Sequence, residues 1–375
     1  MKKEQDKPYQ YWLMNVKGLG KKKKLELVQK LGSAEEVYRT PAGVLQTLTG
    51  EKGMYKISEA KRNWNIREEY SALCRQKIKF TCQGDEDYPG RLANIPDAPF
   101  GLYYQGCLPS DSVPSAALIG ARACSEYGAY AAREFGSKLA QAGIQIISGL
   151  AMGIDGISQE AALAAGGKSF GVLGCGVDIC YPKSNRSIYE KCKLQGGILS
   201  EYPPKTGPSA NLFPPRNRII SGLSDVVVVV EAREKSGTLI TVDMALEQGR
   251  EVFAVPGRIT DSLSRGCNHL FRQGAGVAVS PADILEVLYG TVSSRDIIIE
   301  ETAKKDRGKI SSALSDRERQ VYEHLDILPK TPEELYGEMG KALAIQEVLG
   351  TLVELCIRGY AVQTAEGYSQ KVLAS

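Results

Sequence analysis

Four short segments carry side chains that could do chemistry, and each is suited to holding an anion. Gly120-Ala121-Arg122 puts a guanidinium two residues after a glycine that lets backbone approach a ligand. Ser148 to Asp155, SGLAMGID, runs small residues from Ser148 and Gly149 into a helix start whose free amides attract negative charge. In Phe213 to Ser224, FPPRNRIISGLS, Arg216 and Arg218 fall in the first turn of a predicted helix. Cations there oppose the helix dipole by ~0.3–1 kcal/mol each, a conflict that a bound anion would remove. Asn217 between them can reach a phosphate or a base edge, and Phe213 offers a stacking face. Ser236-Gly237-Thr238 opens a further helix with hydroxyls and amides that can form an anion nest. Each segment also has a purely structural reading: a solvated turn arginine, close helix-strand packing, or arginines paired with carboxylates elsewhere. On the ligand reading, replacing Arg216 or Arg218 by alanine weakens binding and leaves thermal stability nearly intact.

Catalytic readings find little support. A dinucleotide fingerprint is missing, because Gly120 to Ser125 reads GARACS rather than GxGxxG. Gly167-Lys168-Ser169 imitates the end of a P-loop but runs from a helix into a strand, the reverse of the required order. The two histidines, His269 and His324, sit in no strand-end loop beside a nucleophile, so no catalytic residues are assigned. Nine cysteines without a CxxC pair read as reduced core thiols; no metal site and no cofactor are expected.

The elements that must position the four segments are legible from about Ala116 onward, where short β-branched runs alternate with helical patterns. That alternation is the mark of a doubly wound, mainly parallel α/β sheet, whose ligands lie beyond the carboxyl ends of its strands. The predicted strands are Ala116–Ile119, Ile144–Ser148, Ser169–Leu173, Gly197–Ser200, Asp225–Glu231, Glu251–Val255 and Gly276–Val279. Five successive valines at Val226 to Val230 show no alternation, so that strand is covered on both faces and is central.

Before the sheet, residues 1–66 read as a small helical domain. Tyr9, Leu13 and Val16, then Leu25, Val28 and Leu31, recur at helical spacing around Gly18-Leu19-Gly20. The glycine turn followed by Lys21, Lys22, Lys23 and Lys24 is similar to a helix-hairpin-helix, and these lysines are candidate auxiliary DNA contacts; a solvated lysine face on a helical bundle explains them equally. Residues 67–298 form the sheet domain, 299–310 a polar linker, and 311–375 a small domain of three helices and a hairpin that suits a winged helix. Its candidate recognition helix carries Glu347 and Glu354 against Arg358, which favours contact with protein over reading of a DNA groove.

Bulk properties narrow the class further. At 375 residues, with 43% hydrophobic and 24% charged residues, the chain has the composition of a folded globular protein of two or three domains. No apolar run approaches a bilayer span, and the start lacks a secretory h-region, so a cytoplasmic protein without membrane contact is expected. The formal net charge is only +3, yet residues 1 to 30 hold nine lysines against three acidic residues.

GAR, SGLAMGID, GCGVDICYP, SEYPP, FPPRNRIISGLS, VVEAREKSGT and VFAVPG, in this order from about Tyr88 to Val279, closely resemble the DprA/Smf proteins. The resemblance implies a Rossmann-like domain in a homodimer that binds and protects single-stranded DNA and loads the RecA recombinase onto it during natural transformation. It implies that Gly120, Arg122, Ser148, Gly149, Phe213, Arg216, Asn217, Arg218, Gly237 and Thr238 line the DNA pocket. One departure is Ser158-Gln159, where the family typically has alanine and histidine; a neutral hydrogen-bonding exchange is the preferred reading. The enzyme alternative is a nucleotide-derivative hydrolase of the LOG type, whose PGGxGTxxE signature lacks its paired glycines and glutamate in the comparable stretch Lys235 to Thr241.

Overall fold

The valine run is where the fold begins. In a computed structural model, which describes residues 2–290, 314–325, 329–340, 343–364 and 367–370, Val226 to Val229 form a strand hydrogen-bonded on both sides. Val227 and Val229 enter one hydrophobic core, Val226, Val228 and Val230 the core on the other face. A period-2 strand with both faces apolar must be sandwiched between helix layers.

Nine strands make the sheet: β1 (Lys79–Cys82), β2 (Gly101–Gly106), β3 (Ser115–Ile119), β4 (Gln145–Ser148), β5 (Ser169–Val172), β6 (Gly196–Ser200), β7 (Val226–Val229), β8 (Glu251–Ala254) and β9 (Gly276–Val277). Their order is β1-β2-β6-β5-β4-β3-β7-β8-β9. From β6 to β9 every pairing is parallel, so the expected doubly wound α/β class holds, and all seven expected strands are present with ends within two residues. From β3 the chain winds outward through β4, β5 and β6, then returns to the other side of β3 as β7. The switch point therefore lies between β3 and β7, where a crevice must open at their carboxyl ends.

β1 and β2 were not foreseen. They add an antiparallel edge to β6, and their residues, KFTC and GLYYQG, lie outside the strand-helix alternation that marks the others.

The amino-terminal helices span Lys2–Met14, Lys21–Leu31, Ala34–Arg39, Ala42–Asn63 and Ile66–Arg75. The set thus runs past the expected boundary at residue 66. Trp12, Leu13, Leu27, Leu45, Ile57 and Leu73 share one core with Phe80 and Tyr103 of the edge strands, so the bundle is built onto the sheet. The expected linker, 299–310, lies outside the described residues. Beyond it, helices Asp316–His324, Pro332–Glu338 and Ile345–Ile357 precede a hairpin, Ala361–Thr364 with Gly367–Gln370, in the anticipated order. Of the cysteines, Cys82, Cys175, Cys192 and Cys267 are buried thiols as expected, whereas Cys74 and Cys107 are exposed. Among the described residues no helix is long and apolar enough to cross a membrane.

Trp12 is wholly buried and meets Tyr38 edge-on at 5.0 Å. Trp12→Ala should cost ~3–5 kcal/mol. Because its core continues to Phe80 and Tyr103, chemical denaturation should show helix loss and tyrosine fluorescence change at one midpoint; two separated transitions would mean that bundle and sheet edge do not share a core.

Candidate functional site

The switch-point crevice is a cleft of about 840 Å³. The turn after β3 supplies Gly120 and Arg122, helix Phe213–Gly222 supplies Phe213, Arg216 and Asn217, and the segment after β7 supplies Arg233, Gly237 and Thr238. A narrower recess beside it adds Gly149, with Arg122, Phe213 and Arg216 shared between the two. Eight of the ten expected pocket residues therefore meet at one rim of the sheet.

Ser148 and Arg218 do not line it. Ser148 is fully buried, and its hydroxyl donates to the Leu118 carbonyl at 2.6 Å, tying β4 to β3. Arg218 leaves its helix on the far side from Arg216. Its Nε donates to the Asp97 carbonyl at 2.8 Å, Nη1 to the Pro215 carbonyl at 2.8 Å, and Nη2 to the Glu201 carboxylate at 2.7 and 2.8 Å. Carboxylates of the protein, not a bound anion, remove its conflict with the helix dipole. The expectation that Arg218 faces the pocket is overturned.

Arg216 is buried in the cleft floor. Its Nη1 donates to the carbonyls of Gly149, at 2.9 Å, and Val172, and its Nε to Asn217 Oδ1 at 3.3 Å. Burial pushes its guanidinium down to about 10, against the pull of Asp155. Asp155 is buried too; its carboxylate accepts from the Gly149 amide at 3.1 Å, and desolvation raises it against the opposing influence of Arg216. Arg216 is thus an internally partnered cation with one face on the cleft.

The exposed charge lies elsewhere. Arg122 is exposed and stands over the Phe213 ring, 5.8 Å from its centroid. Phe213 in turn stacks on Tyr181, with centroids 5.5 Å apart and planes 22° apart. Arg233, also exposed, lines the same cleft. Arg233 and Tyr181 were missed as site residues, although both lie in motifs that the sequence singles out, VVEAREKSGT and GCGVDICYP. Their position in strand-end loops was the signal.

The glycines divide by what fills the missing Cβ. At Gly120 a Cβ would lie 2.7 Å from the Ile154 side chain and 3.0 Å from the Glu231 carbonyl, so that glycine serves packing between loops rather than approach of a ligand. At Gly237 nothing of the protein lies within 4 Å, and the backbone is open to the cleft.

Gln159 is wholly buried and fully engaged. Its Oε1 accepts from the Leu150 amide at 3.0 Å, while its Nε2 donates to Ser169 Oγ at 3.2 Å and the Phe170 carbonyl at 3.1 Å. Leu150 has a φ of 55°, a strained backbone for a branched residue that the surroundings must hold in place. Gln159 is one of the groups that hold it.

The lysine run also separates. Lys21 pairs with Asp97 and Lys23 with Glu26. Lys24 is buried, donates to the Met14 carbonyl at 2.6 Å, and is pushed down to about 8 by desolvation. Of the four only Lys22 is exposed, with Lys21 and Lys23 half-buried, so the run does not present the continuous lysine face that a phosphate grip would need.

Fold and site together define a Rossmann-like protein whose switch-point cleft combines guanidinium groups, open amides and a stacked aromatic pair. The chain belongs to the DprA/Smf family: the family model for DNA recombination-mediator protein A matches residues 79–289. It is 45% identical over 201 residues to DNA processing protein DprA of Streptococcus pneumoniae, covering 54% of this chain and 71% of that one. To protein Smf of Escherichia coli it is 38% identical over 285 residues, covering 76% and 75%. Among solved structures, S. pneumoniae DprA matches with a TM-score of 0.66 and 36% identity over 74% of this chain and 96% of that one. DNA processing protein A of Helicobacter pylori, which binds single-stranded DNA, matches with a TM-score of 0.51 and 29% identity over 56% and 95%.

Arg218→Ala would strip the Glu201 carboxylate of its two hydrogen bonds and Asp97 of a cation. The expected loss is ~1–3 kcal/mol, read as a lower midpoint in thermal unfolding, whereas Arg122→Ala leaves the midpoint in place. Equal midpoints for Arg218→Ala and the parent would show the ion pairs to be idle.

Proposed function

We propose that the protein binds single-stranded DNA in the switch-point cleft, shields it, and passes it to the RecA recombinase during natural transformation, acting in the cytoplasm as a homodimer and without catalysing a reaction. The observation that carries this reading is the Arg122-Phe213-Tyr181 stack standing over a cleft floored by Arg216. A single strand offers two things to a protein, phosphates and unstacked base faces. Guanidinium groups meet the first, and aromatic planes meet the second at ~1–3 kcal/mol per base. Neither contact reads a base edge, so little sequence preference follows.

The hydrolase reading fares worse in this cleft. Asp155 lines it, but its carboxylate is buried and committed to the Gly149 amide. A general base must be free to take a proton from its substrate or from water. The carboxyl-terminal domain fits a protein-facing role. Helix Ile345–Ile357 exposes Leu349, Val353 and Ile357, and Arg358 is held by the buried Glu318.

Oligo-dT should bind tightly at low salt and progressively more weakly as salt rises. Arg122→Ala and Arg233→Ala should each flatten the log-log salt dependence by ~0.7, and Phe213→Ala should cost ~1–3 kcal/mol with the slope unchanged. Fluorescence anisotropy across a salt series reads all three. Salt-independent binding, or release of a free base from nucleoside monophosphates, would defeat the proposal. Homodimerisation predicts a sedimentation mass of twice the chain at micromolar concentration.

A further inference from the structure

In a doubly wound sheet, the helix that follows the first strand points its amino terminus into the switch-point crevice, and that terminus is the natural seat for a nucleotide phosphate. Here the helix is Glu126–Gln141, following β3. Its amino terminus is already occupied by a side chain of the protein.

Glu231 leaves the end of β7 and is 2% exposed. Its carboxylate accepts from the Ser125 amide at 3.0 Å and from the Ser125 hydroxyl. A Cβ on Gly128, in the first turn of that helix, would overlap the same carboxylate, so the glycine leaves room for it. The cleft lined by Arg122, Phe213 and Arg233 lies outside this point, and neither Glu231 nor Ser125 belongs to its lining.

We infer that Glu231 is a specificity-determining residue: an internal anion that fills the phosphate seat of the mononucleotide-binding half and makes the protein reject free nucleotides. Three features combine to do this. A carboxylate offers two acceptor oxygens to the same donors that a phosphate would use. Its negative charge satisfies the helix dipole without any ligand. Its burial between β7 and the helix keeps water and small anions from competing for those donors. Binding at the switch point is thereby confined to the outer cleft, which is open enough for a chain of phosphates and has no enclosed seat for a terminal one. This inference is independent of the single-strand reading, since it concerns what the inner seat refuses.

The test is titration of the full-length protein with ADP and with inorganic phosphate, by calorimetry, for the parent and for Glu231→Ala. Ser125 still caps the helix in the variant, because its hydroxyl also accepts from the Gly128 amide at 3.0 Å, and circular dichroism checks that the fold persists. The parent should show no saturable binding of either probe, and Glu231→Ala should gain at least about tenfold in affinity for ADP, a difference of ~1.4 kcal/mol. Saturable ADP binding by the parent, or a folded Glu231→Ala no better than the parent, would overturn the inference. If Glu231→Ala does not fold, Glu231→Ser removes the charge and vacates most of the seat while keeping a hydrogen-bonding group. A severalfold gain in phosphate affinity is then expected, and no gain overturns the inference. Oligo-dT binding, measured separately on the parent, reports on the outer cleft alone.

Discussion

The site depends on two buried charges, Asp155 and Arg216, that both lie against Gly149 and are held there by its backbone. Through them Gly149, just after β4, and Val172, at the end of β5, are held to helix Phe213–Gly222: Asp155 accepts from the Gly149 amide, and Arg216 donates to the Gly149 and Val172 carbonyls. Buried charges are costly unless hydrogen-bonded, and here each of the two finds backbone partners in another element. The pair therefore sets the spacing of the loops that surround the cleft. It also leaves a cation beneath a surface that outer groups, Arg122 and Arg233, complete.

A second ionic node links the amino-terminal bundle to the same helix. Asp97 meets Lys21 of the bundle on one side and Arg218 of the site helix on the other, and Glu201 closes the arrangement on Arg218. Two cations that look like nucleic-acid ligands in the chain are thus neutralised against each other's shared carboxylate. Together with Glu231 on the Ser125 amide, this gives the switch-point region a consistent division: inner cations and amides are answered by the protein's own carboxylates and carbonyls, and the outer ones are left to the cleft. Such a division suits a ligand that lies along the rim rather than one that enters the sheet.

The sequence alone determined the class of fold, the central strand, the seven parallel strands and the family, because those depend on local hydrophobic period and on residues adjacent along the chain. It also placed the strand-end loops that build the cleft, since parallel strands put every such loop at one rim. Tertiary structure alone decided which cations face outward. Arg216 and Arg218 are two positions apart on a helix, hence about 200° apart around its axis, and the direction each takes depends on Glu201 and Asp97, which no pattern near residue 217 announces. Likewise the antiparallel edge of β1 and β2, the stacking of Tyr181 on Phe213, and the seating of Glu231 against Ser125 join segments from 19 to 106 residues apart. Charge and hydrogen-bonding capacity are written along the chain; whether a group is left free depends on what packing brings against it.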